Sequence, residues 1–166
     1  TNDAFQLFQT IANQPDPYTK QGPEDLYAVN QSAGQGPHKA SPYLMDILSQ
    51  VRPMGNRDLD LTLGPVIQVW NAHKETKTVP SEGEIAQALA KTGPEKSTVD
   101  TPANTVTLAP GAQLDLGAVG KGYAVEQTAE LLRLDKRVKT ALINAGGNIK
   151  VLGTKDDGSP WNIGVQ

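Results

Sequence analysis

Lys121 stands between Gly120 and Gly122, and Gly117 precedes it, within the stretch LDLGAVGKGYAVEQTAELL that runs from Leu114 to Leu132. Glycines let backbone approach a ligand closely, N–H groups at a helix start favour anions, and the lysine ammonium adds a full positive charge at the same place. A phosphate group suits such a loop. Asp115, at its entrance, serves either as a ligand contact or as the turn former at a strand end. The spacing departs from two familiar phosphate loops. A P-loop has four residues between its glycine and Gly-Lys-Ser/Thr, whereas two separate Gly117 from Gly120, and Gly122 occupies the place of the metal-binding hydroxyl. The dinucleotide fingerprint G-x-G-x-x-G fails on spacing too.

A second polar set lies earlier. Asp58, Asp60 and Thr62 alternate with Leu59, Leu61 and Leu63, a period of two that predicts a strand with leucines on one face and acids and hydroxyl on the other. Gly64-Pro65 breaks the strand and opens a helix, whose amino end would lie close to Asp60 and Thr62. Val66, Ile67, Val69 and Trp70 predict that this helix is largely buried. Neither His38 nor His73 has a carboxylate at a spacing that makes a metal pair or a triad, so both read as solvated. Cysteine is absent, which excludes a disulfide frame and a thiolate nucleophile. With a formal net charge of −3, pI near 5.3 and no run of Lys or Arg, a nucleic-acid partner is excluded.

These groups need elements to position them. Phe5, Phe8 and Ile11 predict a short amphipathic helix over 3–13, followed by a long polar loop over 14–40 with one local turn or short helix. Ser41-Pro42 starts a helix that buries Leu44, Ile47, Leu48 and Val51 and ends at Pro53 and Gly55. Ser81-Glu82-Gly83-Glu84 is a capping box ahead of a helix carrying Ile85, Ala88 and Leu89, with Gly93 as its stop. Val99 and 105–109 read as strands, Pro110-Gly111 as a turn, and 113–116 as the returning strand that feeds the glycine loop. After the helix that follows Lys121 come a strand at 141–143, a glycine turn at 144–148, a strand at 149–152, a turn at 156–158 and a last strand at 161–166. Helices early and hairpins late predict an α+β fold with a mostly antiparallel or mixed sheet. At 166 residues one domain is expected, and both ends read as cut.

Three segments, 60–70, 114–125 and 142–149 closing on 161–166, resemble the ApbE family of FAD:protein FMN transferases, and the likeness covers most of the chain. The resemblance implies a partial flavin-transferase domain that lacks the family's first strand and its carboxyl-terminal metal-site segment. It implies binding of FAD with Mg2+ and transfer of FMN to a Thr or Ser hydroxyl of an acceptor flavoprotein, with AMP leaving. An extracytoplasmic location follows, with the membrane reached only through a lipid anchor absent from this chain. Matched residue by residue, Asp115 is expected to contact FAD, Lys121 to lie near the phosphates and act in catalysis, and the Ala118 carbonyl to ligate magnesium. The segment Asp58-Leu59-Asp60 is expected to touch FAD. Glu126 and Asn148 stand where the family commonly has aspartate. Two other readings remain open at this point: a FAD-binding module without transfer activity, and a FAD pyrophosphatase giving FMN and AMP.

Overall fold

The computed structural model describes residues 2–51 and 59–164. In chain order its elements are helices α1 (Asn2–Asn13) and α2 (Leu26–Gln31), strand β1 (His38–Lys39), helices α3 (Pro42–Val51), α4 (Gly64–Thr76) and α5 (Glu82–Leu89), strands β2 (Ser97–Asp100) and β3 (Thr105–Leu108), helix α6 (Gly120–Leu134), and strands β4 (Ala141–Ala145) and β5 (Asn148–Leu152). The α+β class follows: both sheets are antiparallel, and helices outnumber strands before Gly93. The chain divides into two compact units, one formed by residues 13–118 and the other by residues up to 12 together with those from 119 onward.

In the unit of residues 13–118, β3 is the centre of a three-stranded sheet in the order β1-β3-β2, with Val99 opposite Val106 and His38 opposite Val106 on the other edge. Its buried apolar residues include Leu26, Val29, Leu44, Ile47, Leu48, Val106, Leu108, Leu114 and Leu116. Ser41 Oγ accepts from the Leu44 N–H at 3.2 Å, which explains the start of α3. α5 begins in a complete capping box between Ser81 and Glu84 and packs against α4. In the loop before α2, Asp25 is buried and its carboxylate accepts from the N–H groups of Gln21, Gly22 and Ala28. A buried carboxylate is tolerated there because backbone donors surround it.

Three expectations fail in this unit. Leu59–Leu63 is not a strand: 61–62 form a turn and only Leu63 makes a bridge, parallel, to Gln113. The physical reason is local, since the Asp60 side chain captures the Thr62 N–H and draws the backbone into a turn. Residues 113–116 do turn back after Pro110-Gly111, but they do not pair with β3, because β1 and β2 already occupy both of its edges. Nor is α4 largely buried, for only Gly64 and Pro65 are, and Trp70 is 48% exposed. The predicted end of α3 at Pro53 and Gly55 lies outside the described residues.

In the other unit, α6 packs against the hairpin of β4 and β5, whose register sets Ile143 opposite Lys150. Gly146 and Gly147 both take positive φ, 58° and 94°, the pair of values a two-residue hairpin turn demands. α6 buries Ala124, Val125, Thr128 and Ala129, and Lys150 of β5 pairs with Glu126 of α6 at 2.6 Å. In α1 Ala4 and Ile11 are buried; of the predicted stripe Ile11 is fully buried and Phe8 half-buried, while Phe5 is 61% exposed. Residues 161–164 carry no strand pairing, contrary to the strand expected there.

Candidate functional site

Asp115 and Asp60 come together through backbone. The Asp115 N–H donates to the Leu61 carbonyl at 2.8 Å, and two residues earlier Gln113 bridges Leu63, so the segments 61–63 and 113–115 run side by side. Close approach is possible because residue 64 is glycine: a Cβ there would lie 2.8 Å from the Gln113 carbonyl oxygen. The opposite side of the second segment is held by Asn30, whose buried amide donates to the Leu114 carbonyl at 2.9 Å and accepts from the Leu114 N–H at 2.8 Å. Nothing in the composition of the polar loop marks Asn30 for this role. Its signal is visible only once α2 is seen to face Leu114.

Both carboxylates are half-buried and each is tied down by one oxygen. Asp60 Oδ1 accepts from the Thr62 N–H at 2.7 Å and the Thr62 hydroxyl at 2.6 Å, and Thr62 Oγ1 in turn accepts from the Gly93 N–H at 2.6 Å. Asp115 Oδ1 accepts from the Gly117 N–H at 2.8 Å, closing the turn into the glycine stretch. The predicted alternatives for Asp115, turn former and ligand contact, are thus compatible, because one oxygen makes the turn and the other accepts no hydrogen bond among the described residues. Thr62 is fully buried rather than on a solvated face. Leu59 is half-buried, and Asp58 lies outside the described residues.

Tyr18 carries no marking pattern in the sequence. About half of its surface is exposed, its hydroxyl accepts from the Asn71 amide at 3.0 Å, and its pKa is raised, first by burial and then by the negative charge of Asp115. Tyr18 thus follows Pro17 in the polar loop, within electrostatic reach of Asp115. Ala118 is exposed at the end of this unit, and its carbonyl oxygen accepts no hydrogen bond among the described residues.

Lys121 belongs to the unit that begins at Val119. It is exposed in the first turn of α6, which starts at Gly120 with no side-chain hydrogen bond from its N-cap residue Val119. Helix-start donors, a helix dipole and an ammonium are an anion-binding combination. Gly122 is exposed, with Asn148 Oδ1 3.9 Å from the place its Cβ would take. His38 Nε2 donates to the Pro23 carbonyl at 2.9 Å, and His73 joins Thr78 to Glu84 at 2.6 and 3.2 Å. His73 therefore has a carboxylate partner that spacing alone does not announce.

As for magnesium, no group of three or more His, Cys, Asp or Glu among the described residues could hold a metal ion. The oxygen donors at hand, the Ala118 carbonyl and the free oxygens of Asp60 and Asp115, do not by themselves make the near-octahedral set that ion demands.

The fold is α+β, with the half-buried Asp60 and Asp115 in one unit and the exposed Lys121 in the other. The sequence matches the ApbE family over residues 1–166, and the chain belongs to that family. It is 32% identical over 168 residues to a FAD:protein FMN transferase of Klebsiella pneumoniae (strain 342), covering 98% of this chain and 51% of the relative. To the FAD:protein FMN transferase of Vibrio cholerae (Classical Ogawa 395) it is 27% identical over 166 residues, covering 96% of this chain and 48% of the relative. The solved flavin transferase ApbE from Vibrio cholerae superposes with a TM-score of 0.83 at 25% identity, covering 99% of this chain and 57% of that one. The ApbE protein of Thermotoga maritima, at 23% identity and a TM-score of 0.86, shares the fold, over 99% of this chain and 54% of its own. The chain spans about half the length of the curated relatives it matches.

Proposed function

We propose that the protein carrying this chain transfers FMN from FAD to a Thr or Ser hydroxyl of an acceptor flavoprotein, with magnesium, releasing AMP. The observation that supports the reading is the pairing of segments 61–63 and 113–115, which brings the backbone beside Asp60 next to that of Asp115 just before the glycine stretch, in a chain whose named relatives are FAD:protein FMN transferases. In the reaction the acceptor hydroxyl oxygen bonds to the flavin-side phosphorus, the bridging P–O bond breaks, AMP departs with the electron pair, and the hydroxyl proton is released. Lys121 and the first N–H groups of α6 offset charge on the phosphate oxygens, and phosphoryl transfer depends chiefly on such charge stabilisation together with positioning. Asp60 and Asp115 orient polar groups of the nucleotide, and Tyr18 gives a planar ring a surface to stack on. Magnesium supplies further charge neutralisation at the phosphates when bound, and its remaining ligands would come from other parts of the protein, with the Ala118 carbonyl as one oxygen donor. The extracytoplasmic location and the lipid anchor that the resemblance implies belong to the same proposal.

The test uses the full-length protein with FAD, magnesium and an acceptor flavoprotein, reading covalent flavin by in-gel fluorescence. Lys121→Ala is expected to lower the rate about 100-fold, in the range for loss of one charge-stabilising group. Undiminished labelling would remove Lys121 from the mechanism. If FAD binds yet no acceptor is labelled, the transferase reading fails, and AMP release without an acceptor would point to hydrolysis instead.

A further inference from the structure

Thr62 is 2% exposed, and its hydroxyl is the middle link of a chain of three groups. The Gly93 N–H, beyond the end of α5, donates to Thr62 Oγ1 at 2.6 Å, and the Thr62 hydroxyl donates to Asp60 Oδ1 at 2.6 Å. Nothing in the flavin reading gives this hydroxyl a part. An amide N–H only donates, a carboxylate oxygen accepts and a hydroxyl has one proton, so the chain runs in a single direction and the hydroxyl rotor is fixed. The Thr62 N–H reaches the same Oδ1 at 2.7 Å, so one residue holds that oxygen with two donors. Turning the carboxylate away would break both bonds and leave a buried hydroxyl proton without an acceptor, which is costly.

The consequence falls on the other oxygen. Asp60 is half-buried, and its Oδ2 accepts no hydrogen bond among the described residues. Leu61, between Asp60 and Thr62, accepts from the Asp115 N–H at 2.8 Å, so the held carboxylate sits on backbone already tied to the Asp115 segment. We infer that Thr62 is a positioning residue: it locks the Asp60 carboxylate with Oδ1 engaged inside the protein and Oδ2 left to accept, so that the group of the nucleotide meeting Asp60 is an N–H or O–H donor. FAD has such donors in its hydroxyls, its flavin imide and its adenine amino group. The inference rests on the flavin reading for the identity of the nucleotide, while the chain from Gly93 through Thr62 to Asp60 does not.

The experiment uses the full-length protein with two measurements, FAD affinity by flavin fluorescence and the Thr62 hydroxyl proton by NMR of threonine-labelled protein. Thr62→Val keeps the shape and removes the proton, while Thr62→Ser keeps the hydroxyl. Thr62→Val is expected to weaken FAD by about tenfold or more, in the range for loss of a hydrogen bond to a charged group, with Thr62→Ser within about twofold of the natural protein. In an Asp60→Ala background Thr62→Val is expected to change FAD affinity by less than about twofold, because the group it acts through is gone. The same loss in both backgrounds would make Thr62 merely structural and overturn the inference, as would an unchanged affinity in Thr62→Val. Without FAD, the hydroxyl proton is expected to give a slowly exchanging signal that disappears in Asp60→Ala. Its absence from the natural protein overturns the inference even where Thr62→Val fails to fold. A protein that shows this signal and its loss in Asp60→Ala but binds no FAD would uphold the positioning of Asp60 while sinking the flavin reading.

Discussion

At the scale of single residues, Asn30 stands in for a neighbouring strand. Its amide makes both of the hydrogen bonds that a paired strand would give Leu114, at 2.9 and 2.8 Å, in a buried setting. Removing it leaves two buried backbone groups unpaired, each at a cost of about 1–3 kcal/mol. Asn30→Ala is therefore expected to lower stability by about 3 kcal/mol, seen as a fall in the urea midpoint with the slope unchanged. A change below about 0.5 kcal/mol, the size of an ordinary surface substitution, would show that Leu114 finds other partners. Asparagine in a loop rich in Gln, Ser and Gly carries no such message in the sequence, because its partners lie 84 positions away. Asp115 is the contrasting case: its place before a glycine marks it as a turn former, and the turn is there.

At the scale of elements, the start of α5 makes a pH-dependent contribution. Glu84 is held at about 2, well below the usual carboxylate range, first by the Ser81 hydroxyl, then by the Ser81 N–H, then by His73. A carboxylate whose folded pKa is depressed contributes stability that is complete above its unfolded value and disappears as pH falls through the folded one. The contribution of this cap is expected to be full above about pH 4.5 and to vanish progressively toward pH 2. Glu84→Gln should remove that part of the pH dependence, measured as the difference between urea midpoints of the two proteins from pH 6 to pH 2. A constant difference across this window would mean that the carboxylate is not the group responsible. Capping boxes are readable from sequence because all their partners lie within four residues. The strand expected at 59–63 fails for the same reason in reverse: alternation describes a face, but the Asp60 side chain competes for the Thr62 N–H and wins locally.

At the scale of the whole molecule, a nucleotide bound only by the folded state must raise stability by mass action. With FAD at 100 times its dissociation constant the full-length protein is expected to gain about 2.7 kcal/mol, read as a rise in melting temperature that grows with the logarithm of FAD concentration. No shift at any FAD concentration would mean that the folded protein does not bind this nucleotide. FMN alone, lacking the AMP half, should shift it less. Magnesium should enlarge the FAD shift if its site is completed in the full-length protein, and leave it unchanged otherwise.

Whatever depends on near neighbours is written in the order of residues. Proline and hydroxyl caps start α3, α4 and α5, a glycine pair places the β4–β5 turn, and the α+β class follows from the order of periodicities. The glycine–lysine stretch is also one of the three segments that carry the resemblance to the ApbE family, to which the chain belongs. Which segment lies beside which is settled only in three dimensions. With both edges of β3 taken, 113–116 turns instead to Leu61 and Leu63, and that choice joins Asp115 to the segment of Asp60 and sets Asn30 against Leu114. Such pairings come from competition among distant backbone groups for the same partners, and no local pattern of side chains encodes the outcome of that competition.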